Sequence, residues 1–240
     1  MTASVSTPQE LAAGPALLAV AHGSADPRAA QANTRLLRQV ATTLPAVTVR
    51  LAYLDHLAPS VPEALAALAV AGAREVVVLP LLLTVGYHSR TDIPALLHDP
   101  PLAVRYGRVL GPDRLLAAGL ADRLTEAGVA PRTSVVLAAA GASDPDAARD
   151  VAVMADLLAA VRAAPVTPAY ASAIPPTVPE ALAAAEADAA VSRYFLAPGR
   201  LPDRVVLQAG PRLVGQPLID HPALVRVVVN RYREVWTGSA

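Results

Sequence analysis

Short apolar segments alternate along the chain with amphipathic segments. Residues 17–21 are apolar, residues 47–53 alternate apolar and polar side chains, and residues 76–84 form a continuous apolar run. These patterns are typical of strands, the last of them buried on both faces of a sheet. Apolar residues with helical spacing follow the first predicted strand. After the second predicted strand, a Ser60-x-x-Glu63 capping box begins a second helix. Alternation of this kind predicts a parallel α/β sheet.

The second half of the chain repeats the first. Residues 23–30 (GSADPRAA) match residues 141–148 (GASDPDAA) 118 positions later, and the P-x-V-P-E-A-L sequence of residues 59–65 recurs 117 positions later. Two matches in the same order at nearly one offset indicate an internal duplication. We therefore predict an α/β fold with two similar lobes, at residues 1–130 and 131–240, each a parallel sheet flanked by helices. A pseudo-twofold axis is expected to relate the lobes across a cleft.

Composition excludes several classes of protein. The chain contains no cysteine, so disulfides, thiolate-bound metals and a thiol nucleophile are impossible. Its formal net charge is zero, which argues against nucleic-acid binding. The longest apolar run falls short of the roughly 20 residues that span a bilayer, and the first arginine is Arg28, so the N-terminus lacks the basic region of a secretory signal. A cytoplasmic protein without membrane association is expected.

Two histidines are the strongest candidates for chemistry. His22 directly follows the first predicted strand, and His88 follows the third by a few residues. Ligands of parallel α/β sheets bind outside the carboxyl ends of the strands, so both imidazoles are expected at one cleft when the two strands are neighbours. Imidazole binds borderline divalent metals and is a base near neutral pH. Two histidines do not complete a closed metal site, which fits a metal that is passed on. Ala140 occupies the position of His22 in the second repeat, indicating one active site per chain.

Other polar residues have structural interpretations. Asp26 and Asp92 stand where helix N-caps are expected. The other histidines, His56, His98 and His221, are interpreted as hydrogen-bonded loop residues. Ala21 precedes His22 where histidine phosphatases carry an arginine, so that activity lacks its phosphate clamp.

The two histidine segments resemble the signatures of a known family. Ala21-His-Gly-Ser-x-Asp26 and Pro80-Leu-Leu-Leu-x-x-Gly-Tyr-His-Ser-Arg-x-Asp-Ile-Pro94 are similar to those of the sirohydrochlorin chelatases, in the long form that fuses two half-size units. The resemblance implies insertion of Fe²⁺ or Co²⁺ into a precorrin-derived tetrapyrrole, in siroheme or cobalamin synthesis. It implies neither ATP nor an organic cofactor, because the divalent metal is itself a substrate.

The resemblance also assigns roles to residues. His22 and His88 match the family's two histidines, as metal ligands and catalytic bases, while its acidic residue has no equivalent that the sequence identifies. Substrate binding is assigned to residues of the motifs and to arginines that can pair with the macrocycle's carboxylates, namely Ser24, Tyr87, Ser89, Arg90, Arg28 and Arg200. The second lobe is expected to form a wall of the cleft, and the protein to be a monomer. The alternatives are a tetrapyrrole or metal carrier without catalysis and, less favoured, a histidine-type phosphatase.

Overall fold

The computed structural model describes residues 14–172 and 174–238. The first half of the chain contains, in order, β1 (Ala16–Ala21), α1 (Pro27–Thr43), β2 (Val49–Tyr53), α2 (Val61–Val70), β3 (Glu75–Pro80), a π-helical turn (His88–Asp92), α3 (Ile93–Leu96), β4 (Ala103–Tyr106) and α4 (Arg114–Glu126). The second half contains β5 (Val135–Ala139), α5 (Pro145–Arg162), β6 (Val166–Tyr170), α6 (Val178–Ala184), β7 (Ala190–Arg193), α7 (Arg200–Ala209) and α8 (Pro222–Thr237).

The strands form two separate parallel sheets, as the alternation of strand and helix predicts. The first sheet has the order β2-β1-β3-β4 and the second the order β6-β5-β7. In each sheet the first strand of the repeat lies between the next two, so the polar segments that follow these strands meet at one edge. The two-lobed α/β fold is therefore confirmed.

Local sequence signals begin the equivalent helices of both lobes. The backbone N–H of Ser60 donates to Glu63 Oε2 at 2.8 Å before α2, and that of Thr177 donates to Glu180 Oε2 at 2.7 Å before α6. Asp26 caps α1, as predicted, because its carboxylate accepts the N–H of Arg28. These caps satisfy backbone donors that the first helical turn leaves without partners.

The predicted strand over residues 76–84 is too long at its carboxyl end. β3 ends at Pro80, because its neighbour β1 ends at Ala21 and its other neighbour β4 ends at Tyr106. The next residue still donates its N–H to the carbonyl of Val20. Beyond it the chain leaves the sheet and crosses towards the second lobe, which places the His88 segment at the cleft.

The last helix of each half packs against the other half of the molecule. α8 contacts β3, β4 and α1 of the first lobe, whereas α4 contacts β7 and α5 of the second. One apolar core therefore runs between the sheets, formed by both sheets together with α1, α4, α5 and α8. Smaller cores lie under α2 and α3 on the first sheet and under α6 and α7 on the second. Within the described part of the chain, no helix combines the length and the apolar character that crossing a bilayer requires.

Candidate active site

The loop that carries His22 lies directly against the end of β2. Gly23 adopts φ +94°, and a Cβ atom at this position would lie 1.8 Å from the carbonyl oxygen of Asp55. The N–H of Asp55 in turn donates to the carbonyl of His22 at 2.9 Å. Gly141, the equivalent residue of the second lobe, has φ +91° and meets the carbonyl of Ser172 in the same way. Only glycine fits this turn, which explains why both repeats keep it.

His88 opens the π-helical turn between β3 and α3. The turn is anchored by the next residue, because Ser89 Oγ donates to the carbonyl of Gly86 at 3.0 Å and accepts the N–H of Gly86 at 3.1 Å. Tyr106 OH donates to the carbonyl of Ser89 at 2.7 Å, and burial raises the pKa of Tyr106 to about 12. Ser89 itself is buried. These contacts fix the direction in which the His88 side chain leaves the backbone.

The structure brings the two predicted histidines together. The rings of His22 and His88 lie 4.6 Å apart between centroids and are nearly perpendicular, at 89°. Nδ1 of His88 is 2.5 Å from Asp92 Oδ2, whereas Nδ1 of His22 is 3.1 Å from the carbonyl oxygen of its neighbour Gly23. The expectation that Asp92 caps the next helix is wrong. Its backbone is already helical and its side chain makes no cap hydrogen bond, because the carboxylate turns back to the histidine four residues earlier.

The histidines face a cleft between the lobes with a volume of about 510 Å³. The first lobe contributes His22 and residues 81–89, and the second lobe contributes mainly alanine, valine, leucine and aromatic side chains. The position equivalent to His22 is Ala140, at the far wall. The histidines thus stand among both polar and apolar residues of the first lobe, and the wall opposite them is mainly apolar, a surface suited to the apolar face of a flat ligand.

Two residues of the second lobe hold the segment that leads to His88. Tyr194 OH donates to the carbonyl of Leu83 at 3.0 Å, and Asp150 accepts the N–H of Val85 at 2.8 Å. Burial raises the pKa of both side chains. The second lobe is thus more than a wall, since it fixes the backbone on which a candidate catalytic residue stands. Neither residue carries a sequence motif that would have indicated this contact.

Two ion pairs connect the lobes beside the cleft. Arg28, in the first turn of α1, donates to Asp203 at 2.6 Å as well as to its own neighbour Asp26. Arg90 pairs with Asp146 and lies 3.4 Å from Asp144, both at the start of α5. The guanidinium of Arg90 holds the pKa of Asp146 below its ordinary value. Each of these ion pairs therefore joins an arginine of the first lobe to an aspartate of the second lobe.

Backbone contacts show which residues of the lobes are equivalent. Leu17 pairs with Val77 as Val135 pairs with Ala190, so β1 corresponds to β5 at an offset of 118 and β3 to β7 at an offset of 113. On the second offset Gly86 corresponds to Gly199, and the carbonyls of these glycines accept the N–H groups of the residues four positions later, at 3.0 and 2.9 Å.

This equivalence relates the two ion pairs with their charges exchanged. Arg28 corresponds to Asp146, and Arg90 corresponds to Asp203. The repeat therefore relates the pair Arg28–Asp203 to the pair Asp146–Arg90. The first lobe supplies both cations and the second lobe both anions. After duplication the two halves have diverged in complementary directions at the positions that join them.

The structure places the predicted site residues in two groups. His22, Tyr87, His88 and Ser89 line the cleft, and Tyr87 is 65% exposed beside His88. The remaining predicted residues do not line it. Of these, Ser24 accepts the N–H of Asp26 within the loop, Arg28 and Arg90 join the lobes, and Arg200 is an exposed residue in the first turn of α7.

The other histidines, His56, His98 and His221, do not line the cleft. His221 caps α8 by accepting the N–H of Ala223. His56 lies near the carboxylate of its neighbour Asp55, with 3.3 Å between Nε2 and Oδ2. In residues 14–172 and 174–238, no three side chains among His, Asp and Glu are grouped as a metal site.

Comparison with known proteins identifies relatives over nearly the whole chain. The model of the CbiX family matches twice, over residues 16–127 and 134–235. The sirohydrochlorin ferrochelatase of Bacillus subtilis (strain 168) is 27% identical over 242 residues, which cover 93% of each protein. A sirohydrochlorin cobaltochelatase of Methanosarcina acetivorans is 29% identical over 125 residues, which cover 46% of this chain and 95% of that protein. A protein of half the length thus matches one lobe.

Solved structures give the same result. The structure of SirB from Bacillus subtilis with Fe³⁺ superimposes with a TM-score of 0.82 at 26% identity, covering 94% of this chain and 97% of that one. The two-lobed arrangement is therefore shared with nearly all of that protein.

Proposed function

Because the chain belongs to the CbiX family, we propose that it inserts Fe²⁺ or Co²⁺ into sirohydrochlorin or a related tetrapyrrole. The observation that carries the proposal is the pair of imidazoles, 4.6 Å apart at the carboxyl edge of the first sheet, opposite an apolar wall. Neither ATP nor an organic cofactor is part of this reaction. The metal ion is a substrate.

The histidine pair suits the chemistry of metal insertion. Metallation removes two pyrrole N–H protons while the incoming ion loses water. A neutral imidazole accepts such a proton, and an imidazole lone pair replaces a water of the ion. Two imidazoles leave most coordination positions of the ion open, so the macrocycle nitrogens can take it over. His22 and His88 are the residues to which we assign these steps.

The remaining surface of the cleft is assigned to the macrocycle. The alanine-rich wall of the second lobe, extended by Phe195 and Leu196, offers a surface for one ring face. Ser24, Tyr87 and Ser89 belong to the two loops that would border the ring.

The carboxylates of the tetrapyrrole are assigned to arginine. Arg28 and Arg90 lie beside the cleft and are paired with aspartates of the second lobe. A carboxylate of the substrate would take the place of the aspartate carboxylate in such a pair. Arg200 is exposed, and we assign it the same role from the second lobe. The first lobe with its histidines and the second lobe with its wall complete the site within a single chain, which supports action as a monomer.

The test is direct. Purified protein is mixed anaerobically with excess sirohydrochlorin and Fe²⁺, Co²⁺ or Ni²⁺ in separate reactions, and the absorbance of the metallated product is followed. Metallation of many equivalents, well above the rate without protein, is expected for at least one of Fe²⁺ and Co²⁺. Saturation after one equivalent would identify a carrier instead of an enzyme. The variant with both His22 and His88 replaced by alanine is the matched control.

A further inference from the structure

We propose that Asp92 is a positioning residue for His88, which holds the imidazole in the tautomer whose Nε2 lone pair is free. The proposal concerns the orientation and proton placement of one side chain, and only its kinetic consequence rests on the proposed function. It starts from the 2.5 Å contact between Asp92 Oδ2 and His88 Nδ1.

The π-helical turn brings these two side chains together. His88 and Asp92 are its first and last residues, and the N–H of the following residue, Ile93, donates to the carbonyl of His88. Side chains four positions apart lie on one face of a helical segment, so the carboxylate reaches back over the turn to the ring. π-helical turns occur frequently at functional sites. Both side chains are partly exposed, 43% for His88 and 32% for Asp92.

The chemistry of the contact determines where the ring proton lies. An ionised carboxylate only accepts hydrogen bonds, so Nδ1 of a neutral His88 must carry the hydrogen. The other nitrogen, Nε2, then presents its lone pair. Carboxylates in contact with the far nitrogen of a histidine commonly fix its tautomer, its orientation and its strength as a ligand or base. Asp92 thus leaves the Nε2 lone pair of His88 free to bind a metal ion or accept a proton.

The two histidines differ in this respect. Nδ1 of His22 lies 3.1 Å from the carbonyl oxygen of the adjacent residue, a local contact, and its side chain is exposed. His88 instead has a carboxylate partner on the same π-helical turn. Both contacts place an acceptor at Nδ1, but only His88 has a carboxylate there, at 2.5 Å, whereas His22 has a backbone carbonyl at 3.1 Å; the two rings are perpendicular to each other at 4.6 Å. The Nε2 lone pair of His88 is therefore oriented before any ligand binds.

The turn is anchored without the carboxylate, which makes the proposal testable. The Ser89 hydroxyl forms hydrogen bonds with both the N–H and the carbonyl of Gly86, and Tyr106 OH donates to the carbonyl of Ser89. Asp92→Asn is therefore expected to fold. An amide in place of the carboxylate can accept from Nδ1–H through its oxygen or donate to Nδ1 through its NH₂ group, so the ring hydrogen is no longer confined to Nδ1 and the Nε2–H tautomer gains population. Asp99→Asn is the matched control, because Asp99 is an exposed carboxylate of the same segment at φ +52°, which asparagine also adopts.

The experiment is nitrogen NMR of the full chain labelled with [¹⁵N]histidine, recorded near pH 8, with the His88 signals assigned from a His88→Gln variant. We expect the Nδ1–H tautomer for His88 in the wild type and in Asp99→Asn, and a shift towards Nε2–H in Asp92→Asn. A wild-type His88 in the Nε2–H form, or one unaffected by Asp92→Asn, would overturn the proposal. This readout needs neither metal nor tetrapyrrole.

Kinetics then test the consequence. On the scale of lost supporting contacts to ligating histidines, Asp92→Asn should lower kcat for metallation about 10–100-fold with little change in the KM for the tetrapyrrole. An unchanged kcat despite the tautomer shift would also refute the role. If the wild type shows the expected tautomer but no metallation, the proposed function fails while the placement of the proton by Asp92 stands.

Discussion

A single methyl group at Gly23 is expected to damage both stability and the site. Gly23 has φ +94°, and its Cβ would lie 1.8 Å from the carbonyl oxygen of Asp55. A non-glycine residue at such a φ costs about 1–3 kcal/mol of folding free energy. The close approach must in addition push the backbone at Asp55 away, and the N–H of that residue holds the carbonyl of His22. Gly23→Ala should therefore be less stable and should also slow metallation.

The duplication supplies controls that separate these effects. Gly141→Ala combines the same positive φ with a Cβ 2.0 Å from the carbonyl of Ser172, in the lobe without the histidines. Gly72→Ala has φ +88° with open space around its Cβ, so it reports backbone strain alone. Each kcal/mol corresponds to a Tm change of about 2–4 °C for a chain of this size. We expect the Tm to fall least in Gly72→Ala and by similar, larger amounts in the other two.

The assays are thermal unfolding and the initial rate of metallation, measured well below every Tm. Gly23→Ala should lose at least an order of magnitude in rate, on the scale of a displaced catalytic group, whereas Gly141→Ala and Gly72→Ala should retain most of it. Equal rate losses in Gly23→Ala and Gly141→Ala would refute the reasoning, because the loss would then follow stability and not the position of His22. An undisturbed rate in Gly23→Ala would refute it as well.

Three further predictions concern the site and its rim. His22→Ala and His88→Ala should each slow metallation by roughly 10²-fold, the scale of lost acid–base catalysis, with little change in Tm; wild-type rates would contradict the assignment. Arg90→Ala should raise the KM for the tetrapyrrole with much less effect on kcat, since a rim charge binds substrate and transition state alike, and steady-state kinetics with the tetrapyrrole varied decide this. Arg28→Asp should lower the Tm by placing like charges together, and adding Asp203→Arg should restore it; no recovery in the double variant would show that the bridge does not join the lobes in solution.

Much of the fold was predictable because its signals are local. The capping boxes at Ser60 and Thr177, and the Asp26 cap, depend on residues within one helical turn. Period-2 and continuous apolar segments predicted the strands, and the internal match predicted two lobes. The carboxyl end of β3 was misplaced, because an apolar run continues past Pro80 while the neighbouring strands end, and only the sheet determines where pairing stops.

The histidine pair was predictable for a different reason. Parallel strands bring their carboxyl ends to one edge of a sheet, so the residues following β1 and β3 meet once these strands are neighbours, which the sheet shows them to be. The partner of His88 was not predictable in the same way. The segment around Asp92 is polar and ends before a proline, which favours a loop, and its π-helical form depends on contacts of Ser89 with Gly86 and Tyr106.

By itself the sequence determined the α/β class, the duplication, the helix starts and the position of two histidines just after predicted strands, because these follow from periodicity and neighbouring residues. Only the tertiary structure decided which partners the charges take. Arg28 meets a carboxylate 175 positions away and Arg90 one that is 56 positions away, and no local pattern encodes such pairs. Likewise, α4 of the first half packs against the second half, and α8 of the second half packs against the first. Contacts between distant segments depend on how the two lobes come together, and that is settled by the burial of one shared core.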